Sequence, residues 1–225
     1  MKILLIEDEK ALAINIQKFL IGEGYICEWV SNLPEAEDKI GVYEYDCVLV
    51  DIMLPNGSGF SIVELLKKKQ SPTGIIIISA KNALDDKIKG LDLGADDYLT
   101  KPFHLTELNS RVKSVLRRRQ FGGNNEIIFG KIKILPEAKE VWVDSKSIIF
   151  TRKEYDLLMY FIANNNRVLP KSTISEHLYG DEIDQSDTFD FLYSHIKNLR
   201  KKLIEASCPD YVQTLYGVGY KFSLT

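Results

Sequence analysis

Residues 49–60 read LVDIMLPNGSGF. The apolar run CVLV (47–50) stops at a single carboxylate, Asp51, and a run of turn chemistry, Pro55, Asn56, Gly57, Ser58 and Gly59, opens four residues later. Taken alone the stretch is ordinary, because Asp favours loops and Pro and Gly mark turns for backbone reasons. Its meaning comes from what surrounds it.

Outward from Asp51, apolar runs and helical patterns alternate. KILLI (2–6), ICEWV (26–30), CVLV (47–50), GIIII (74–78) and DYL (97–99) read as strands. Between them lie helical patterns. Leu12, Ile16, Phe19 and Leu20 recur at i, i+4, i+7 and i+8, and a short helix follows Pro34. Ile62, Leu65 and Leu66 mark a third helix, residues 84–92 a fourth, and Leu108, Val112, Val115 and Leu116 a fifth. Strands that are continuously apolar belong to a parallel sheet covered on both faces. Five such units with right-handed crossovers predict an open, doubly wound, flavodoxin-like α/β domain over residues 1–119.

Periodicity fails within RRRQFGGNNE (117–126), where charge, Gly and Asn take over, and residues 120–126 read as a flexible linker. Beyond it, IIFGKIKIL, KEVWVD and KSIIF alternate like a small antiparallel sheet over 127–150. Thr151 and Glu154 form a capping box that opens a helix with Tyr155, Leu158, Met159 and Ile162 on its apolar face. A second helix starts at Ser172 or Thr173, and a third runs from Asp187 or Thr188 to about Ala206. YVQTLYGVGYKFSL then closes as a hairpin turning at residues 217–219. Three helices followed by a β-hairpin predict an α+β winged helix-turn-helix over 127–225.

Residues 1–120 carry 16 Lys and Arg against 18 Asp and Glu, and the remainder carries 13 against 14. Neither half is a basic domain, so nucleic-acid binding has to come from local clusters. No segment approaches the ~18 apolar residues of a membrane span. The N-terminus turns acidic after four apolar residues, too short for a signal peptide. Cys27, Cys47 and Cys208 are far apart and odd in number, with no metal spacing. Buried free thiols at Cys27 and Cys47 and a cytoplasmic location are expected.

Ligands of an open parallel sheet bind beyond the carboxyl ends of its strands. Glu7 and Asp8 follow the first strand, Asp51 the third, Ser79 the fourth and Lys101 the fifth. The first and third strands are neighbours in the common doubly wound order, so three carboxylates converge and raise one another's pKa. A divalent cation resolves that repulsion, and Mg²⁺ takes one or two carboxylates while leaving room for a phosphate oxygen. Asp51 then serves as a nucleophile toward phosphorus, with the Lys101 ammonium neutralising charge and the Ser79 hydroxyl in reach of the new phosphate.

IEDE, VLVDIMLPNGSGF, ISAK, GADDYLTKPF and the terminal GVGYKF together resemble a two-component response regulator of the OmpR/PhoB winged-helix class. The resemblance spans essentially the whole chain. It implies that Asp51 accepts phosphate from a sensor histidine kinase. It also implies that Asp8, Asp51 and the Met53 backbone carbonyl ligate Mg²⁺, with Glu7 acting through water. Ser79 and Tyr98 are then the switch pair, Lys101 contacts the phosphate, and the Lys101–Pro102 bond is cis. The resemblance further implies that phosphorylation draws Ser79 to the phosphate, with Tyr98 turning inward behind it. It implies too that the face of the fourth helix, fifth strand and fifth helix then forms a symmetric homodimer, the matching positions being Lys87, Asp96, Asp97, Glu107, Arg111 and Arg118.

The third helix of the second domain packs by Phe189, Leu192, Ile196, Leu199 and Leu203. Its opposite face holds Asp187, Asp190, Ser194, Lys197, Asn198 and Lys201. Ser194, Lys197 and Asn198 are placed for base edges in the major groove of double-stranded DNA, and Arg200, Lys201 and Lys202 for phosphates. Lys221 is placed for the backbone or minor groove. Many relatives carry Arg before GVGY where this chain has Tyr216, which weakens the case for a wing contact. With few phosphate contacts, the monomer is expected to bind weakly and to need tandem half-sites. Residues 178–187 match the loop that touches RNA polymerase in relatives.

Two other readings compete. A phosphohydrolase with an Asp nucleophile needs a second acid two residues on, where this chain has Met53. A DNA-binding protein regulated without phosphate has no use for the full set of Glu7, Asp8, Asp51, Ser79 and Lys101. The chain therefore reads as a transcriptional regulator rather than an enzyme, with only slow autodephosphorylation at Asp51.

Overall fold

The computed structural model describes residues 1–55, 57–80, 84–180 and 185–224, with the side chains of 185–188 outside that description. The chain divides into two units, Met1–Gly123 and a second beginning at Asn124.

The first unit runs β1 (Lys2–Ile6), α1 (Lys10–Glu23), β2 (Ile26–Val30), α2 (Leu33–Val42), β3 (Cys47–Asp51), β4 (Met53–Leu54), β5 (Gly57–Ser58), α3 (Phe60–Lys68), β6 (Gly74–Ser79), α4 (Leu84–Asp92), β7 (Asp97–Thr100) and α5 (Leu105–Phe121). Five strands form a parallel sheet in the order β2-β1-β3-β6-β7. The period of two along each strand divides the core. Leu4, Ile6, Val48, Val50, Ile75 and Ile77 face α2 and α3, where Ala36, Ile40, Ile62 and Leu66 meet them. Ile3, Leu5, Leu49, Ile76 and Ile78 face the other way, onto Ala13, Ile16 and Leu20 of α1 and Leu108, Val112 and Val115 of α5. Burial on both faces explains why the strands read as unbroken apolar runs. Cys27, Cys47 and Cys208 are all buried free thiols.

Helix ends follow local chemistry. Asn32 caps α2 by accepting the Glu35 N–H at 3.0 Å, with Pro34 in the first turn. Gly24 ends α1 and Gly122 ends α5, both in the left-handed conformation. The α5 helix corrects one boundary. Its charged run Arg117–Arg118–Arg119 is helical, and the helix continues to Phe121, one residue past the expected start of the linker. Tertiary partners hold that last stretch: Arg119 Nε binds Asp96 Oδ1 at 2.7 Å, and Gln120 Nε2 binds Asp46 Oδ1 at 2.6 Å.

The second unit begins with a four-stranded antiparallel sheet, β8 (Ile127–Phe129), β9 (Ile132–Leu135), β10 (Glu140–Val143) and β11 (Lys146–Ile148), in the order β11-β10-β9-β8. α6 (Arg152–Ala163), β12 (Val168–Pro170), α7 (Lys171–Tyr179), α8 (Gln185–Glu205), β13 (Val212–Leu215) and β14 (Gly219–Phe222) follow. The Thr151–Glu154 capping box is present on α6. α7 starts at Lys171 rather than Ser172 or Thr173, and α8 starts at Gln185 rather than Asp187 or Thr188. The β13–β14 hairpin gains a partner that periodicity missed, β12, whose three residues are too short to alternate visibly. Phe222 joins the layers, stacking on Phe161 at 5.6 Å and lying 4.8 Å from Phe129.

Candidate functional site

β1 and β3 are adjacent and parallel, so their C-terminal ends deliver Glu7, Asp8 and Asp51 to one place. One carboxylate oxygen from each lies within 4.8 Å of the others. Glu7 and Asp51 are buried, and Asp8 is exposed. From the end of β7, Lys101 reaches over: its Nζ donates to Glu7 Oε1 and Oε2 at 2.8 and 2.7 Å and to Asp51 Oδ2 at 2.6 Å. The other Asp51 oxygen, Oδ1, accepts the Met53 backbone N–H at 2.8 Å. Burial pushes the Glu7 carboxyl above its ordinary value, and the Lys101 cation only partly offsets this. Burial opposes the Lys101 ammonium, yet its bonds to Asp51 and Glu7 outweigh that and hold its pKa above the usual lysine range. Three hard carboxylate donors, one of them open to solvent, fit a Mg²⁺ ion that keeps several waters. The Lys101–Pro102 bond is cis, as the resemblance implied.

Behind Asp51, Ser79 ends β6 fully buried, and the hydroxyl of Tyr98 on β7 is hydrogen-bonded to its side chain. Tyr98 is 3% exposed, so it already lies inward. The expectation that it turns inward only behind a phosphorylated Asp51 does not describe this state. Burial raises its phenol pKa.

The charged face of α4, β7 and α5 is paired within the chain. Arg111 Nη1 binds both Asp97 oxygens at 3.0 and 2.9 Å, and Arg111 Nη2 binds Glu107 Oε1 at 2.8 Å. Arg118 Nη2 donates to the Asp96 carbonyl at 3.2 Å, while the Asp96 carboxylate goes to Arg119, a partner that the sequence pattern did not single out. Lys87 is exposed on α4. Leu84, Ile88 and Leu91 lie 70, 47 and 43% exposed at i, i+4 and i+7 along the same helix.

On α8, Leu192, Ile196, Leu199 and Leu203 are buried, while Asp190, Ser194, Lys197, Asn198 and Lys201 are exposed. The side chain of Asp187 lies outside the described residues, as do residues 181–184 of the 178–187 segment. Ser194 Oγ donates to the Asp190 carbonyl at 3.0 Å. The cations divide into two groups. Arg200 is turned to the sheet that carries the hairpin, paired with Asp210 and 3.4 Å from Thr214 Oγ1. Lys202 corrects the expected phosphate set. Its Nζ binds the buried Glu154 at 2.6 Å and the Ile149 carbonyl at 3.0 Å, which ties α8 to the start of α6. Lys197 and Lys201, together with Arg200, border a cleft of about 480 Å³ between α8 and the hairpin sheet, lined also by Ile196 and Tyr220. Lys221 sits on β14 opposite Val168 and Gln213. A further cation, Lys171, reaches α8. It begins α7 directly after β12, and its Nζ donates to Tyr193 Oη of α8 at 2.6 Å. No motif marks it; only β12–β14 pairing brings it beside the hairpin.

Residues 3–113 match the response regulator receiver domain, and residues 145–222 match the family described as transcriptional regulatory protein, C terminal. The chain belongs to the two-component response regulators of the OmpR/PhoB winged-helix class, a receiver domain followed by a DNA-binding domain. It is 36% identical over 224 residues to the transcriptional regulatory protein CiaR of Streptococcus pneumoniae, covering 97% of this chain and 96% of CiaR. It is 37% identical over 219 residues to the response regulator ArlR of Staphylococcus haemolyticus, covering 97% of each chain. Among solved structures, the receiver domain of the Francisella response regulator 1452 matches with a TM-score of 0.50 at 36% identity, over 52% of this chain and 97% of that one. CiaR is named as a transcriptional regulatory protein, and ArlR and the Francisella protein as response regulators. Among the described residues no helix is long and apolar enough to cross a membrane.

Proposed function

We propose that Asp51 accepts a phosphoryl group from a sensor histidine kinase and that this drives dimerisation and sequence-specific DNA binding. The observation that carries the reading is the convergence of Glu7, Asp8 and Asp51 at adjacent strand ends, with Lys101 bound to two of them. Glu7, Asp8, Asp51 and the Met53 carbonyl would hold Mg²⁺, which when bound supplies positive charge to the phosphoryl oxygens. An Asp51 carboxylate oxygen attacks phosphorus, and the kinase imidazole leaves. Lys101 then trades a carboxylate oxygen of Asp51 for a phosphoryl oxygen. Ser79 exchanges its Tyr98 partner for another phosphoryl oxygen, and Tyr98 stays inward.

A switch from 1:99 to 99:1 needs about 5.5 kcal/mol of differential stabilisation. One new hydrogen bond contributes less than that, so dimerisation shares the task. The apolar stripe Leu84, Ile88 and Leu91 supplies the surface, flanked by Lys87, Asp96, Asp97, Glu107, Arg111 and Arg118. The intrachain pairs Arg111–Asp97 and Arg119–Asp96 would exchange partners across the two-fold axis. On DNA, Ser194, Lys197 and Asn198 face base edges. Lys201, Lys221 and Lys171 face phosphates, with Arg200 positioning the hairpin and Lys202 left to Glu154. Residues 178–187 are assigned to RNA polymerase on the resemblance alone.

Selection of binding sites from a random DNA pool tests the reading, comparing protein treated with Mg²⁺ and beryllofluoride with untreated protein at matched salt. Treated protein alone should enrich two half-sites about one helical turn apart. Equal enrichment by both samples would leave a DNA-binding protein for which Asp51 is not the switch.

A further inference from the structure

Glu7 is tied through both of its backbone polar groups to β2. Its N–H donates to the Val30 carbonyl at 3.1 Å, and its carbonyl accepts the Trp29 indole Nε1–H at 2.8 Å. β1 ends at Ile6 and its pairing with β2 is last felt at the Glu7 N–H, so beyond Glu7 the strand ladder no longer sets the direction of the chain. The peptide group is planar, so fixing the Glu7 carbonyl fixes the plane of the Glu7–Asp8 peptide and the direction in which Asp8 leaves it. Asp8 is exposed, and its place beside Glu7 and Asp51 depends on that direction rather than on packing. The Trp29 ring is itself anchored, packing against the core cluster formed by α1, α5 and the sheet.

We propose that Trp29 is a positioning residue for the cation site, its indole N–H aiming Asp8 at the ion that Glu7 and Asp51 share. The role rests on the Mg²⁺ reading above. It separates from a packing role, because Trp29→Phe keeps one aromatic ring while removing the donor, and a loss of packing alone lowers stability without weakening the affinity for Mg²⁺.

The test is calorimetric titration of the full chain with Mg²⁺ alone, native against Trp29→Phe. The Kd for Mg²⁺ should rise roughly 3- to 10-fold, the usual effect of losing one neutral hydrogen bond. The melting temperature without Mg²⁺ should fall by no more than about 4 °C. A Trp29→Phe chain that binds Mg²⁺ as tightly as the native one overturns the proposal. The chain has two tryptophans, so Trp142→Phe leaves Trp29 as the one indole, excited selectively over the tyrosines, and gives a second measurement should Trp29→Phe fail to fold. Its emission should change along the calorimetric Mg²⁺ curve, and no response at saturating Mg²⁺ overturns the role. Failure of the native chain to bind Mg²⁺ would remove the site itself, a different result from an unchanged Trp29→Phe.

Discussion

Gly59 packs against the main chain of Asp51. A Cβ at position 59 would stand 2.0 Å from the Asp51 carbonyl oxygen and 2.7 Å from Val50 Cγ2. The φ of Gly59 is −56°, which any residue can adopt, so glycine is required by space rather than by backbone conformation. The Gly59 N–H also donates to the Ile52 carbonyl at 3.0 Å, which folds the loop back on the strand that carries the acid. The turn chemistry after Asp51 thus sets how closely α3 approaches the site.

Gly59→Ala should therefore do more than stiffen a loop. The clash is with backbone and cannot be relieved by rotating a side chain. Destabilisation of the receiver by roughly 2–3 kcal/mol is expected in urea unfolding. Phosphorylation of Asp51 by a small phosphodonor, read by intact-protein mass spectrometry, should slow as well. Native-like stability and rate would mean that the loop shifts freely.

Lys101→Ala removes the cation that lies between two buried carboxylates. Without Mg²⁺ the receiver should lose about 3 kcal/mol at neutral pH, the usual result of stripping one partner from a buried ion pair. Excess Mg²⁺ should restore more stability to Lys101→Ala than to the native chain, because it then supplies the only counter-charge. Equal Mg²⁺-induced shifts in urea midpoint would contradict this.

The Glu154–Lys202 pair predicts a pH dependence in the second domain. Burial pushes the Glu154 carboxyl up, but the bonds from Lys202 and from the Thr151 N–H outweigh it and hold the pKa below 4.5. A depressed folded-state pKa contributes stability above the unfolded value and loses it as pH falls through the folded value. Glu154→Gln should cost roughly 2 kcal/mol at neutral pH. The gap should close only as pH drops below 4.5, measured by denaturant unfolding across that range.

Three substitutions on α8 should separate base reading, phosphate contact and structural support. Asn198→Ala should relax sequence preference at one base pair, by roughly 1–3 kcal/mol, and leave the salt dependence unchanged. Lys201→Ala should weaken binding to all sequences alike and flatten the salt slope by about 0.9. Lys202→Ala should lower the melting temperature more than it weakens DNA binding, since its ammonium serves Glu154. Fluorescence anisotropy at several salt concentrations, together with thermal melting of each variant, distinguishes the three.

Local patterns in the chain fix most of the elements and the meeting of the three carboxylates. Ile75–Ile78 and Cys47–Val50 are short, β-branched-rich runs that read as strands buried on both faces, and a parallel sheet of such strands brings its C-terminal ends together. Thr151 and Glu154 announce a helix start because both halves of a capping box are local. Periodicity also placed Leu192, Ile196, Leu199 and Leu203 inward and Asn198 outward on α8. What remained hidden depends on contacts between residues far apart in the chain. β12 exists because β14 pairs with it, not because Val168–Pro170 favours a strand. α5 runs on through its charged tail because Asp46 and Asp96 hold Gln120 and Arg119. Whether a lysine on α8 stays exposed or is held by a buried acid is a matter of what folds beneath it. Lys201 and Lys202 are neighbours in sequence, but only Lys202 lies over Glu154, and only the tertiary structure could tell them apart. The reason is physical: helical periodicity is written into every few residues, whereas the partner of a long, flexible cation is chosen by the tertiary packing that sets a counter-charge within its reach.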